Sequence, residues 1–334
     1  MSKGVIAVAP GRVNLIGDHT DTSGGLVLPL AIDLATTVEG RRGGDRVVLE
    51  SADQPTTAVI SLDVEDPAAV TPSWARYVAG VVAELQPSTG FTGTVTTTLP
   101  VGAGLSSSAA LGVAVALALG AEDLSPADLA RLGQRAEQRA SGVPCGIMDQ
   151  LASAAGVVGH ALLIDCHTET VIPVALPDGV EIRVVHSGQS RSLTGSAYAE
   201  RQTAVERAEA ELGPLRLIDD PAVADRLGDP VLARRARHVI TENARVREVA
   251  AALAAGELPV VGRAMAASHT SLRDDFEVST PALDALVDRL AATSGVIGAR
   301  LTGAGFGGCV VALTEPGALD EGWLVHAAGG AHLL

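Results

Sequence analysis

Residues 11–21 place an arginine, an asparagine, a histidine and two aspartates among glycines and aliphatic residues, directly after the apolar run at residues 5–9. Leu15, Ile16 and the apolar run at residues 26–30 favour burial on both sides of these charges, whereas a solvated surface would show regularly spaced polar residues. Half-buried charges need partners or a ligand. The segment therefore predicts either a site for a hydroxyl-rich ligand such as a sugar, or an internal salt-bridge cluster that stabilises a turn.

The size and composition of the chain predict a folded protein of two domains. Its 334 residues are long enough for two cores, and a content of 47% hydrophobic and 19% charged residues excludes a disordered chain. With two Trp, two Tyr and three Phe, the core must be built from Ala, Val, Leu and Ile.

Charge and cysteine usage restrict the expected partners. The 39 acidic and 24 basic residues give a net charge of -15, and no basic stripe offsets it, which excludes nucleic acid as a partner. Three widely spaced cysteines predict no disulfide framework. The first residues resemble no secretion signal, and no apolar run approaches the ~20 residues that span a bilayer. We expect a cytoplasmic protein without a membrane partner, acting as a monomer or weak homo-oligomer.

The order of predicted elements favours an α+β fold, because the early strands do not alternate regularly with helices. Strands are predicted near residues 5–9, 34–39, 46–50, 93–99, 161–165, 170–174, 180–186 and 308–313. Helices are predicted at residues 107–120, 126–141, 195–212 and 230–255, with a short one after Asp149. A Pro-Asp-Gly turn at residues 177–179 predicts the boundary between domains 1–176 and 177–334.

A glycine- and serine-rich turn at residues 99–110 leads from a predicted strand into an apolar helix. Gly102 and Gly104 let the backbone approach an anion, while the free N–H groups and the dipole of the helix favour negative charge. The turn lacks the Gly-Lys-Ser/Thr of a P-loop and the third glycine of a dinucleotide fingerprint. It predicts either a phosphate-binding loop or an ordinary tight connection between strand and helix.

Two further loops carry candidate site residues. Asp149 follows a Gly- and Pro-containing loop at the start of a short helix; beside Arg12 it could accept a hydroxyl proton, or it could simply cap the helix. Residues 301–308 contain too many glycines for a strand interior, which predicts a loop close to a ligand or to another backbone segment.

Together these segments resemble the superfamily of small-molecule kinases that includes galactokinase, homoserine kinase, mevalonate kinase and phosphomevalonate kinase, and most closely the galactokinases. The galactokinase motif Gly-Arg-x-Asn-Leu-Ile-Gly-Glu-His-x-Asp-Tyr matches residues 11–22 except at Asp18 and Thr22. Residues 145–150, 196–201, 237–243 and 268–279 are also similar to galactokinases, so that the resemblance spans nearly the whole chain.

The resemblance implies a two-domain α+β fold, with an N-terminal domain like domain 2 of ribosomal protein S5 and a C-terminal ferredoxin-like domain. It implies phosphoryl transfer from ATP, with Mg²⁺, to the anomeric hydroxyl of an aldohexose, D-galactose above all. Asp149 and Arg12 would be catalytic, and Ser108 and Glu137 would bind the metal. The sugar would be lined by Asp18, His19, Asp21, Gly146 and Tyr198. ATP would be bound by Pro100, Gly102, Ala103, Gly104, Leu105, Ser106, Ser107 and Ser108. Gly303, Gly305 and Gly307 would form an active-site loop.

The departures at Asp18 and Thr22 leave the substrate open. The family's glutamate lies near the sugar's 6-hydroxyl, and Asp18 is one methylene shorter, so its hydrogen bond could be lost, bridged by water or suited to another C6 substituent. The alternatives to galactose phosphorylation are a sugar 1-kinase for a C6- or C4-altered relative of galactose and a non-catalytic sugar sensor of the same fold.

Overall fold

The computed structural model describes residues 4–100, 102–189 and 194–334, and its helices and strands are mixed along the chain. The strands are β1 (Gly4–Asn14), β2 (Leu26–Val27), β3 (Pro29–Arg42), β4 (Arg46–Ser51), β5 (Gln54–Ser61), β6 (Phe91–Thr97), β7 (His160–Asp165), β8 (Thr170–Ala175), β9 (Glu181–His186), β10 (Val296–Thr302), β11 (Cys309–Thr314), β12 (Trp323–Val325) and β13 (His332–Leu333). The α-helices are α1 (Ala75–Leu85), α2 (Ser107–Leu119), α3 (Pro126–Ser141), α4 (Met148–Ala155), α5 (Thr194–Leu212), α6 (Pro230–Ala255), α7 (Leu258–Asp274) and α8 (Pro281–Ala291).

The first half of the chain is built on a six-stranded sheet in the order β13-β1-β3-β6-β4-β5. Its neighbours are antiparallel except for β4 and β6, which run parallel. The pairing of β1 with β3 shifts register between Pro10 and Arg12, at the point where the charged segment begins. The last strand, β13, pairs with β1, so the chain returns to the first half after completing the second.

Helix α2 confirms the predicted buried helix and lies against β1 and β3. Ten of its residues, from Ala109 to Leu119, are buried, and the seven from Val113 to Leu119 pack in the core of the sheet. The start of α3 is also confirmed: Ser125 is its N-cap and accepts a hydrogen bond from the Asp128 N–H at 3.1 Å. These local signals were strong enough to fix both helices from sequence.

The second half contains a four-stranded antiparallel sheet in the order β10-β11-β9-β12, against which α7 and α8 pack. A smaller sheet, β2-β7-β8, pairs the strand that follows the charged segment with two strands near the end of the first half. The arrangement is the predicted α+β fold; the predicted domain boundary at residues 176–177 stays a prediction. None of the helices in the described residues is both long and apolar enough to cross a membrane.

Candidate active site

A cavity of about 500 Å³ lies between the charged segment, the glycine- and serine-rich turn and the turn between β10 and β11. The sequence-predicted residues that line it are Arg12, Asp18, His19, Asp21, Gly102, Gly104, Ser106, Ser107, Ser108, Glu137, Gly146, Asp149, Tyr198 and Gly303. Val143, Cys145, Met148, Gln150 and Ala304 complete the lining and were not predicted. The fold thus brings together side chains that are far apart in sequence.

Arg12 and Asp149 form a two-pronged ion pair in the wall of the cavity. Arg12 Nε donates to Asp149 Oδ1 at 2.8 Å, and Nη2 donates to Oδ2 at 2.9 Å. The third nitrogen, Nη1, donates to the Gly104 carbonyl at 2.7 Å. Ser106 Oγ donates to Asp149 Oδ2 as well. Because Arg12 is 5% exposed and every guanidinium nitrogen has a partner, the protein itself fixes the orientation of the Asp149 carboxylate.

The glycine- and serine-rich turn presents backbone to the cavity. Gly102 and Gly104 have φ angles of 79° and 81°, in the left-handed region that favours glycine. Ser106, the N-cap of α2, also has a positive φ and its side chain does not cap the helix, since its hydroxyl donates to Asp149. The first amides of a buried helix therefore begin at the cavity, an arrangement that suits an anion such as phosphate.

Glu137 and Ser108 place side-chain oxygen atoms beside this turn that could bind a metal ion. Ser108 Oγ donates to Glu137 Oε1 at 2.8 Å, and Gln150 Nε2 donates to Oε2 at 2.7 Å. Burial raises the pKa of Glu137 to about 7 and Asp149 adds to the rise, while the bonds from Ser108 and Gln150 oppose it.

These oxygens are the hard ligands that Mg²⁺ prefers, and Mg²⁺ is commonly held by one or two carboxylates together with substrate phosphates. Across residues 4–100, 102–189 and 194–334, no three His, Cys, Asp or Glu side chains are arranged as a metal cluster. The two donors fit Mg²⁺ in the shared mode, in which the phosphates complete the coordination.

His19 lies in the wall formed by the charged segment and has a left-handed φ of 65°. Its ring packs against Phe276 at 4.6 Å and Tyr198 at 5.7 Å between centroids. Burial, together with the nearby His238 and Arg300, lowers the pKa of His19 to about 3, so its imidazole is neutral at physiological pH. Its Nε2 is buried without a hydrogen-bond partner in the protein, which leaves a polar atom for a ligand.

Asp21, at the end of the charged segment, is in close contact with Gly146. A Cβ on residue 146 would lie 2.0 Å from Asp21 Oδ2, so only glycine fits there without moving the carboxylate. Burial, together with the negative charges of Asp149 and Asp18, raises the pKa of Asp21 to about 7.

Asp18 is 1% exposed and has protein partners at both carboxylate oxygens. Oδ1 accepts from the Gly303 N–H at 2.8 Å, and Oδ2 accepts from Arg300 Nη2 at 2.5 Å. Asp18 thus links the charged segment to the turn after β10 by a buried salt bridge, as the salt-bridge alternative predicts, and the ligand site stays a prediction.

The remaining predicted positions do not line the cavity. Pro100, Ala103, Leu105, Gly305 and Gly307 are outside the lining. Leu105 is 2% exposed, and its carbonyl accepts from the Arg12 N–H at 3.2 Å. A Cβ at Gly305 would lie 2.4 Å from the Val278 carbonyl, so this glycine serves backbone packing. The loop predicted at residues 301–308 begins later in the structure. Residues 301 and 302 are the last two of β10, whose final five residues are buried.

Three family models match the sequence: GHMP kinases N terminal domain over residues 76–157, GHMP kinases C terminal over residues 249–324, and Galactokinase galactose-binding signature over residues 1–42. Among solved structures, galactokinase from Lactococcus lactis, in complex with galactose, is 32% identical. The match covers 99% of this chain and 95% of that one, with a TM-score of 0.91. The chain belongs to the galactokinase family of GHMP kinases.

More distant GHMP kinases share the fold. Mevalonate kinase from Methanococcus jannaschii is 19% identical over 98% of this chain and 99% of its own, with a TM-score of 0.67. Phosphomevalonate kinase from Streptococcus pneumoniae is 15% identical over 93% of this chain and 92% of its own, with a TM-score of 0.65. These two structures are therefore similar to this chain in fold.

In this galactokinase-family chain, sequence reasoning missed the side chains that support the site from the second half. His238, Glu242 and Asn243 lie in α6 and are buried, with exposures of at most 1%. They contact backbone groups of residues 17–26, and Arg300 contacts Asp18. Their spacing of four and five positions on one helix was a usable signal, because buried polar side chains on one face need partners. Arg300 carried no such local signal.

Proposed function

We propose that this protein is a sugar 1-kinase that transfers the γ-phosphoryl group of ATP to the anomeric hydroxyl of an aldohexose. D-galactose is the first candidate for this substrate. The observation that carries the proposal is the ion pair between Arg12 and Asp149, which lies between the glycine-rich turn and the charged segment. One carboxylate and one arginine, with phosphate-binding amides beside them, are what phosphoryl transfer requires from a protein.

The hydrogen bonds of Asp149 identify the oxygen that would meet the substrate. A carboxylate has about four acceptor positions, two at each oxygen. Arg12 Nη2 and Ser106 both donate to Oδ2, whereas Oδ1 accepts only from Arg12 Nε among the donors named above. Asp149 Oδ1 therefore accepts the hydrogen of the sugar hydroxyl and orients its oxygen towards the phosphorus.

The phosphates would lie on the glycine-rich turn and the first turn of α2. The backbone of residues 102–108 and the positive end of the helix dipole oppose the phosphate charge, and the remaining N–H group of Arg12 Nη2 is placed to contact the transferred group. Ser108 and Glu137 would hold Mg²⁺, which when bound supplies positive charge to the phosphate oxygens. Ionised Glu137 is required for that role.

The charged segment is suited to hydroxyl groups. The free Nε2 of neutral His19, the carboxylate of Asp21 and the hydroxyl of Tyr198 offer both donors and acceptors to a polyhydroxylated ligand. Support for galactose comes from the galactose-binding signature over residues 1–42 and from the Lactococcus lactis structure, which contains galactose.

One observation favours a second candidate, a kinase for a C6-altered relative of galactose. Both oxygens of Asp18 already have protein donors, Gly303 and Arg300, so Asp18 has less acceptor capacity to offer a 6-hydroxyl. A sugar that lacks or modifies that hydroxyl would lose less at this position.

The test is ADP release with MgATP against galactose, fucose, galacturonate, talose, glucose, arabinose and galactosamine, with mevalonate and homoserine as non-sugar controls. The proposal predicts turnover on galactose and none on the two controls. Preference for fucose or galacturonate would support the C6-altered substrate instead. Sugar binding without turnover would reject a kinase and leave a sensor.

A further inference from the structure

The stretch from Leu15 to Asp18 is held from the second half of the chain at four backbone and side-chain groups. Glu242 Oε1 accepts from the Gly17 N–H at 2.9 Å, and the Asp18 carbonyl lies 3.1 Å from His238 Nε2. Arg300 Nη1 donates to the Leu15 carbonyl at 3.0 Å, while its Nη2 donates to the Asp18 carboxylate at 2.5 Å. The backbone that leads into His19 is therefore set by side chains of α6 and β10.

Arg300 is central to this arrangement because it is fully buried, at 0% exposure, and lies between two carboxylates. Asp18 is its direct partner, and Glu242 Oε1 is 4.0 Å from Nη2. Glu242 has a second cation, Arg245, at 2.7 Å. Burial would raise the pKa of Glu242, but Arg245, His238 and Arg300 hold it at about 2. Removing Arg300 would leave Asp18 as the carboxylate without a cation.

The same contacts connect Arg300 to the cavity. Asp18 also accepts from the N–H of Gly303, three residues beyond Arg300, and Gly303 and Asp18 both line the cavity. His19 follows Asp18 and takes its left-handed conformation there. A change in the Asp18 carboxylate would thus move two walls of the cavity together.

We infer that Arg300 is a positioning residue for the sugar: its two-pronged contact with Leu15 and Asp18 holds His19 and the Gly303 turn in place for the acceptor. The inference rests on the proposed function, since it assigns to Arg300 the orientation of the proposed sugar site. The phosphate side of the cavity is held differently. Arg12 and Ser106 both donate to Asp149, and Arg12 also donates to the Gly104 carbonyl. Loss of Arg300 therefore acts on sugar binding and leaves MgATP binding and the transfer step nearly unchanged.

The experiment compares Arg300→Met and Arg300→Lys with the unchanged protein, by steady-state kinetics and by calorimetric titration of galactose. A displacement of about 1 Å in a positioned group can cost up to ~100-fold. We expect Arg300→Met to raise the KM and Kd for galactose by about 10- to 100-fold, with KM for MgATP and kcat each within about threefold. Arg300→Lys keeps the charge without the fork and should raise them by about 3- to 10-fold.

Arg42→Met is the matched control. Arg42 joins β3 to the far end of α2, with bonds to the carbonyls of Leu117 and Ala118 and to Glu122. Like Arg300, Arg42 makes several hydrogen bonds through its own guanidinium. Its loss should therefore lower the melting temperature and leave the KM for galactose unchanged. The control separates a general loss of stability from loss of sugar positioning.

Each outcome decides the inference. A folded Arg300→Met with unchanged KM for galactose, or one in which both KM values and kcat change together, would overturn it. If Arg300→Met does not fold, Arg300→Lys decides alone: galactose constants equal to those of the unchanged protein would overturn the positioning role of the fork. If the unchanged protein binds galactose without turnover, the proposed function fails, and the galactose Kd of Arg300→Lys still decides the inference. If the unchanged protein prefers another sugar of the panel, the same constants are measured with that sugar; failure to bind any of these sugars would overturn both.

Discussion

Arg12 and Asp149, 137 positions apart in sequence, share two parallel hydrogen bonds of 2.8 and 2.9 Å. Arg12 follows the register shift near the end of β1, and Asp149 lies in the first turn of α4. Such a fork-to-carboxylate contact fixes both the position and the orientation of the carboxylate. Because Ser106 also donates to Asp149, the residue proposed to meet the sugar hydroxyl is oriented before any substrate binds.

Asp149→Asn should remove turnover and keep nucleotide binding. The amide nitrogen cannot accept a hydrogen bond from Arg12 or from a sugar hydroxyl. We therefore expect kcat to fall by about 100- to 10,000-fold. Nucleotide binding, measured by titration with a non-hydrolysable ATP analogue, should stay within about threefold, since the phosphate-binding amides are untouched. A near-normal kcat would show that the role assigned to Asp149 is wrong.

Ser106→Ala is the graded companion of that change. It removes one donor to Asp149 Oδ2 and leaves the two donors from Arg12 in place. Loss of one hydrogen bond to an ionised group corresponds to about 1.5 to 3 kcal/mol, so kcat should fall by about 10- to 100-fold. A loss as large as that of Asp149→Asn would mean that Ser106, and not Arg12, is the main support of the carboxylate.

The KM for MgATP should increase as the pH falls through about 7. Glu137 has its pKa raised to about 7, chiefly by burial, and a protonated carboxyl cannot bind the metal. Above that pH the carboxylate is ionised and the KM should reach a low plateau. Steady-state kinetics between pH 6 and 8.5, at saturating sugar, measure the midpoint.

Gln150→Leu tests the cause of that midpoint. Gln150 donates to Glu137 Oε2 at 2.7 Å, and this bond lowers the pKa of Glu137. Without it the pKa should rise, which moves the midpoint of the MgATP profile to higher pH. A profile that is flat in the unchanged protein, or a midpoint that does not move in Gln150→Leu, contradicts the assignment.

Asp21→Asn should stabilise the protein at pH 8 and weaken sugar binding. The pKa of Asp21 is raised from 3.8 to about 7 by burial and by neighbouring carboxylates. Between these values the folded protein keeps a proton that the unfolded chain has lost, so stability falls as pH rises, and the full penalty applies above about 7. We expect a gain of about 1 to 2 kcal/mol at pH 8 that disappears near pH 4.

Urea unfolding at both pH values measures this gain, and Asp123→Asn is the control. Asp123 is exposed in the turn before α3, so its replacement should change stability by less than about 0.5 kcal/mol at either pH. Equal effects of the two substitutions on stability would show that ionised Asp21 does not destabilise the folded protein.

Gly146→Ala should affect sugar binding through Asp21. The new Cβ would lie 2.0 Å from Asp21 Oδ2, and the carboxylate must move to accommodate it. We expect the KM for the sugar to rise by about tenfold, with a stability cost of about 1 to 3 kcal/mol.

Gly112→Ala in α2 is the matched glycine control. Its added Cβ would meet Val81 at 3.8 Å, an ordinary contact, and alanine favours the helix by about 0.5 to 1 kcal/mol. Gly112→Ala should therefore raise the melting temperature and leave the KM for the sugar unchanged. An unaltered KM in Gly146→Ala would show that the position of Asp21 does not matter for the sugar.

Local signals in the sequence determined several elements. The serine cap and proline at the start of α3 and the apolar run of α2 are complete within their own segments, and the structure places both helices within one residue of the prediction. Helices α7 and α8 and strand β10 were not predicted. Helix α7 contains Gly262, whose missing Cβ lets the helix lie against the Ile297 carbonyl, and that packing is invisible in sequence.

The sequence by itself determined the family, the fold class and most of the residues that line the cavity, because each candidate lies in a short segment whose glycines, charges and apolar neighbours are read together. Tertiary structure alone decided which groups meet. Asp18 and Arg300 are 282 positions apart, and a buried arginine within a strand has no explanation until its carboxylate partner is brought to 2.5 Å. Hydrogen bonds and ion pairs act over a few ångströms, so partners distant in sequence are fixed by the packing of the whole chain.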